Sequence, residues 1–382
     1  MKRRDAETPR ESKRICALTR RPFSSCPFLP FFLSLCLCVS AVNLSCTSKP
    51  TDLRTLVPAD TIIYLETSDL GAALEPVYAN AGSKPDISSL RGVHLAIAVT
   101  GLEMSEQKVN DDQSAAEVKP RFVAVIDTHA WHFQAVRFAE EKLGGIVEKF
   151  YRSKPQMQDP ERSGGRDITW TASDGRKAFA FVTGGIIYFS NDRDSLDKTL
   201  EVRNGSPSLA STDKVQPALS GVLATGYASS YGVSQIADFL GLRVAAAASV
   251  DVKAQAALAT VLPTLIKSMV TEVTWTSMRS DGGVQDTFEV AMPENVAAAL
   301  KDTSPDEFEQ RVGNTLVAML ADSGVDATAG KAAAAACAEA IRPPDASQTT
   351  YTQSGMRRVI TSSSGLTGII LKTVTPVSTP QN

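Results

Sequence analysis

Three short apolar runs in close succession constrain this chain more than any other feature: DITWTAS (167–173), KAFAFVTG (177–184) and GIIYFSN (185–191). Each is rich in β-branched and aromatic residues, which favour strands. Asp174-Gly175 separates the first pair and Gly184-Gly185 the second. Such dipeptides supply the positive φ of tight hairpin turns. The stretch therefore reads as an antiparallel meander. TEVTWTSMRSDGGVQDTFEVAM (271–292) repeats the device as a hairpin turning at Asp281-Gly282-Gly283.

Other segments fit an α+β fold in which antiparallel sheets, built of hairpins and meanders, pack against helices on one side. TIIYLET (61–67), GVHLAIAVTG (92–101), RFVAVID (121–127) and VLATGYAS (222–229) read as strands. EMSEQKVNDDQSAAEVKP (103–120) is polar and reads as an exposed loop. From Ala130, the spacing of Phe133, Val136, Ala139 and Leu143 predicts one buried helical face, with Gly144-Gly145 ending the helix. Residues 146–151 fit either a helical turn or a strand. Asn191 and Asp192 cap a helix carrying Leu196 and Leu200, which Asn204-Gly205 ends.

Further on, Val233, Ile236 and Leu240 fall in helical register. An Ala-rich helical segment follows over 244–269, kinked or broken at Pro263. Ser304-Pro305-Asp306-Glu307 is a capping box. Its helix presents Phe308, Val312, Leu316 and Leu320 and stops at Gly324. A second Ala-rich helix ends before Pro343-Pro344, and strands from Thr350 and Val359 and in TGIILKTV (367–374) close the chain.

DITWT (167–171) and EVTWT (272–276) echo each other, each before a turn and an apolar strand. Two related halves are one account of this, and chance likeness of Thr-rich hairpins is the other. In either case each Trp faces opposite to its flanking Thr residues, hence inward. The expected organisation is an export signal (1–45), a tether (46–58), an N-terminal α+β half (59–205), a C-terminal α+β half (221–375) and a flexible tail (376–382).

The leader carries that first assignment. Residues 2–21 are basic, Phe28 to Val42 are apolar, and small residues lead to Cys46. This order marks a bacterial export signal. The apolar zone spans about fifteen residues and contains Pro30, whereas a bilayer-spanning helix needs roughly 20. Val39-Ser40-Ala41 suits ordinary signal cleavage. Leu44-Ser45-Cys46 resembles the end of a lipobox, with Asn43 as a departure, and makes Cys46 the candidate lipidation site. Arg20-Arg21 fits a twin-arginine motif as well as a plain basic region.

Residues 1–41 hold eight basic and three acidic side chains, leaving 31 basic and 39 acidic from Val42 onward, a formal net charge of −8. An acidic surface repels nucleic acid and anionic lipid, so membrane attachment is expected only through the lipid anchor. Five of the six cysteines lie in or beside the leader; Cys337 reads as a small buried helical residue.

The histidines are His94, His129 and His132. Asp127, His129 and His132 in DTHAWH offer the residue types of a metal centre, since zinc takes imidazole and carboxylate ligands. The alternative is a capped helix start with solvated imidazoles. There is no His-Glu-x-x-His pattern, nucleophile elbow, phosphate loop or dinucleotide fingerprint, and no cofactor is expected. The segments LVPADTIIYLETSDL, FVAVID and GGIIYFSNDRDSLDKTLE, within roughly residues 55 to 300, resemble a family of bacterial extracytoplasmic proteins classed as a domain of unknown function. That resemblance implies no activity and transfers no site residue. The expectation is a non-enzymatic extracytoplasmic envelope protein, periplasmic or lipid-anchored. It would bind a protein or a hydrophobic or glycan ligand, or act as a scaffold. The alternative is a metal-dependent hydrolase using Asp127, His129 and His132.

Overall fold

The structure, a computed structural model, describes residues 51–79, 91–110, 113–151, 156–158, 161–162, 164–217, 221–248, 250–301, 303–340 and 347–366. The leader, Cys46, residues 367–374 and the tail lie outside them. A 3-10 turn at Leu53–Leu56 comes first. Leu53 and Val57 are fully buried, so this part of the presumed tether belongs to the folded body.

Strand β1 (Ile63–Thr67) leads through α1 (Leu70–Ala79) to the hairpin β2 (His94–Asn110) and β3 (Gln113–Asp127). Helix α2 (His132–Phe138) passes through a π-helical turn, Ala139–Leu143, into α3 (Gly144–Tyr151). The short strands β4 (Gln156–Gln158) and β5 (Glu161–Arg162) precede the meander β6 (Gly165–Thr171), β7 (Lys177–Thr183) and β8 (Ile186–Ser190), and α4 (Arg193–Val202) follows. The second half comprises β9 (Val222–Ala228), α5 (Ser230–Ala247), α6 (Val252–Met269), β10 (Glu272–Ser280) and β11 (Gly283–Ala291). It ends with α7 (Glu294–Leu300), α8 (Pro305–Asp322), α9 (Ala327–Ala340), β12 (Ser347–Thr352) and β13 (Gly355–Ser362).

One antiparallel sheet runs through both halves in the order β12-β13-β11-β10-β9-β1-β2-β3-β8-β7-β6-β4, with β5 beside β6. The fold is α+β. The halves join where β1 pairs with β9, from Ile63 opposite Ala228 to Glu66 opposite Thr225. Outward from this seam the orders match: β1-β2-β3-β8-β7 on one side and β9-β10-β11-β13-β12 on the other. In each half a first strand leads through helix to a hairpin, and a later hairpin returns its last strand to that hairpin's outer edge. The Trp-containing echo does not follow this match. Strand β6 lies outside the five corresponding strands, whereas β10 corresponds to β2.

Helices cover both faces of the first half, not one. On one face, Leu70, Leu74, Phe138 and Leu143 pack on Leu95, Ile97, Phe122, Trp170 and Phe189. On the other, Leu53, Leu196, Leu200 and Leu209 pack on Tyr64, Ala96, Val123, Val125 and Tyr188. The reason is visible in HLAIAV and FVAVI, whose apolar residues do not alternate with polar ones: such strands must be buried on both sides. Helices α5, α6, α8 and α9 form a separate core from Val244, Leu258, Leu262, Leu316, Leu320 and Cys337.

Three local expectations are corrected. Residues 103–120 are not a loop. They form the outer part of the β2–β3 hairpin, paired from Gly101–Arg121 out to Asn110–Gln113, with residues 111 and 112 outside the described set. The helix does not stop at Gly144-Gly145 either; a Cβ at Gly144 would sit 3.2 Å from Trp170 Nε1, so the glycine lets the helix lie close on that ring. Leu240 is exposed, because α5 buries Val233, Ala237, Gly241 and Val244 instead. Gly241 lies against Pro263, which sits inside α6 rather than breaking it.

A candidate binding loop with two exposed aromatic rings

The segment from Asp127 to Phe133 joins the end of β3 to α2. Hydrogen bonds fix it from below. The Thr128 hydroxyl donates to Gly185 O at 2.6 Å, and the Thr128 amide donates to the same carbonyl at 3.0 Å. A side chain at Gly185 would place Cβ 2.7 Å from Ala130 O, so the turn between β7 and β8 needs glycine here. The Ala130 amide donates to Thr128 Oγ1 at 3.3 Å, and the Trp131 amide to Gln134 Oε1 at 3.2 Å.

His129 adopts the left-handed region at φ 50°. Outside glycine such a conformation is uncommon and costs of order 1 kcal/mol or more. Asp127 holds it there. Its Oδ1 accepts the His129 amide at 2.9 Å and lies 3.3 Å from His129 Nδ1. The Asp127 side chain is buried while the His129 ring is about one-third exposed.

This scaffold presents Trp131 at 66 % and Phe133 at 69 % exposure, the highest of any aromatic side chains among the described residues. Large apolar side chains left in solvent one residue apart are a feature of binding surfaces. Phe133 was expected in the core. The buried face is instead Ala135, Phe138, Ala139 and Leu143, continued by Val147 and Tyr151. The helix starts only at His132, and the π turn shifts the face midway. The outward pair could have been noticed as Trp131-His132-Phe133, three bulky residues in a row.

The proposed metal ligands do not converge. Asp127 and His129 meet, but His132 points from the exposed first turn of α2. Among the described residues no group of three or more His, Cys, Asp or Glu side chains is placed to hold a metal ion.

His94 lies deeper, on the same end of the sheet. Its Nε2 is 2.7 Å from Glu66 Oε1, and Glu66 Oε2 accepts the Tyr64 hydroxyl at 2.9 Å. Both Glu66 and His94 are almost fully buried. Burial, reinforced by the Glu66 carboxylate, holds the Tyr64 phenol well above its ordinary pKa. Nearby, Arg54 is held by Asp52 at 2.7 Å, a hydrogen bond that raises its pKa further, and also donates to Val215 O. His94 is the register partner of Asp127 across β2 and β3, so the two stand on the same face of the sheet beside the base of the loop.

No helix among the described residues is long and apolar enough to cross a membrane. No protein-family model matches the chain, and no curated protein matches it. Among solved structures, a likeness is found to the chain described as "Structure of crystal form III of TP0453", at 10% identity and a TM-score of 0.39, covering 85% of this chain and 100% of that one.

Proposed function

We propose that this protein is an extracytoplasmic component of the bacterial cell envelope, tethered through lipid on Cys46, that works by binding rather than by catalysis. Its working surface is the Trp131–Phe133 loop, and its occupant is an envelope protein. The observation that carries this reading is the pair of exposed aromatic rings on a loop rigidly bonded to Gly185 and Asp127. Aromatic side chains fixed before contact lose little entropy on binding and dominate interface energetics. The basic-then-apolar leader ending at Cys46 supports the location, and the acidic mature chain argues against nucleic acid as partner. The hydrolase alternative on Asp127, His129 and His132 gains no support from the geometry.

Two measurements test this. The mass of the mature N-terminus from envelope fractions should correspond to lipidated Cys46. A cytosolic product retaining residues 1–45 would overturn the location. Replacing both rings, Trp131→Ala with Phe133→Ala, should abolish capture of the envelope partner obtained with the unaltered protein. Folding stability should change by no more than about 0.5 kcal/mol, as for other exposed sites. Equal capture by the double variant would remove the loop from the account.

A further inference from the structure

Helix α5 (Ser230–Ala247) is apolar on both sides. Its inner side, with Val233, Ala237, Gly241 and Val244, is buried. Its outer side carries Gln235, Phe239, Leu242 and Ala246, spaced by four, three and four residues. Leu242 is 41 % exposed, Ala246 is exposed, and Gln235 and Phe239 are half-buried. Among the described residues, Phe239 and Leu242 join none of the hydrophobic cores. A helix that is apolar all round is normally covered all round. Alternating steps of four and three are the seam along which one helix packs on another.

The helix has only two charged side chains, Asp238 and Arg243. They border the seam on opposite flanks, Asp238 just before Phe239 and Arg243 just after Leu242. With Phe239 at heptad position a and Leu242 at d, Asp238 is a g residue and Arg243 the e residue of the following heptad. When two parallel helices share such a seam, g of one helix faces the following e of the other. Asp238 then meets Arg243 of a second copy, and the reverse. Tyr231, 59 % exposed, and the half-buried Ile236 occupy the preceding g and e and meet in the same way. An antiparallel pair would bring like flanks, and so like charges, to the same side. Asp238 already holds Lys267 at 2.7 Å, and a carboxylate has lone pairs for a second cation. Exposed ion pairs add little affinity; at e and g positions they set the choice and orientation of the partner.

We propose that α5 is a self-association surface, on which two copies of this chain pack their α5 helices in parallel about a two-fold axis. Phe239 and Leu242 form the centre, and Asp238 pairs with Arg243 of the second copy on either flank. A two-fold interface is self-complementary, so one patch serves both copies. The charges point to this occupant. The mature chain is acidic and its copies repel over most of their surface, whereas on this face acid meets base. The proposal does not depend on the Trp131–Phe133 loop, which belongs to a different part of the fold.

Sedimentation of the purified mature protein over a dilution series tests this. The unaltered protein should show a monomer–dimer equilibrium. Asp238→Arg leaves two cations on the face and Arg243→Asp two anions. Each should raise the dimer dissociation constant by about tenfold or more, because like charges then meet. Mixed in equal amounts, the two variants should dimerise again, since opposite charges meet at both positions. A thermal midpoint close to that of the unaltered protein shows that each variant is folded. Should either fail to fold, Leu242→Ser at its exposed position decides, and should weaken the dimer by a similar factor. A monomer at every concentration overturns the proposal, whether or not it sediments with phospholipid vesicles. So do single variants that dimerise like the unaltered protein, or a mixture that stays monomeric.

Discussion

At the scale of single residues, the Glu66–His94 pair shows how this molecule treats polar groups it cannot expose. The two are taken out of water together, 2.7 Å apart, with Tyr64 completing the carboxylate. Removing one partner leaves the other buried and unpaired, so Glu66→Ala should cost about 3–5 kcal/mol in denaturant unfolding. Little loss would mean that water reaches His94. A steric prediction concerns Gly226, where a Cβ would fall 2.0 Å from the Trp275 ring. Gly226→Ala should destabilise by about 1–3 kcal/mol through overpacking.

The tyrosines give a pH prediction with a definite sign. Burial pushes Tyr151 and Tyr188 up to about 12, above the unfolded value of about 10. Their contribution to stability is complete below the unfolded pKa and is lost as pH rises through the folded one. A spectrophotometric titration should therefore show these phenols ionising late, together with alkaline unfolding. Ionisation of all seven tyrosines in one step near pH 10 in the folded protein would contradict the burial. At this scale the inward Trp170 and Trp275 were legible, because a period of two fixes the face once the strand is recognised. The outward Phe133 was not, because its face depends on where the helix begins and on a π turn six residues later.

At the scale of elements, what could be read was what local chemistry decides. The Ser304 hydroxyl accepts the Glu307 amide at 3.3 Å while Glu307 Oε2 accepts the Ser304 amide at 2.9 Å, as the capping-box pattern requires. Asp192 caps α4 through the Ser195 amide at 2.8 Å. Asp192→Ala should lower stability by about 1 kcal/mol, readable as a lower thermal midpoint. An unchanged midpoint would mean that solvent replaces the cap. The hairpin turns at Gly175, Gly184 and Gly283 all have positive φ, as the dipeptides indicated. The outer β2–β3 hairpin was hidden because charged and polar residues on a two-stranded ribbon resemble those of a loop. Only the register, with Leu102 opposite Pro120 and Glu103 opposite Lys119, reveals the alternation. The run through Gly144 was hidden because the ring it lies against, Trp170, is distant in sequence.

At the scale of the whole molecule, two halves of like strand order share one sheet through the β1–β9 seam. The seam was not legible in the sequence, because no local signal says which early strand meets which late one. A search for catalytic residues does not lead to the two exposed rings: Asp127 and His129 stood out by type, and in the fold Asp127 accepts the His129 amide. Loops positioned by a rigid sheet are where function concentrates, and this loop follows the end of β3, beside the strand that carries His94.

The most direct measurement replaces Phe133 with a photo-reactive analogue in living cells and follows cross-linking in the envelope fraction. The account predicts a discrete adduct with one envelope protein, absent when the same analogue stands at exposed Val252 and lost when Trp131→Ala is combined with it. No adduct at position 133, or the same adduct from both positions, would contradict the claim that this aromatic loop is where the protein works.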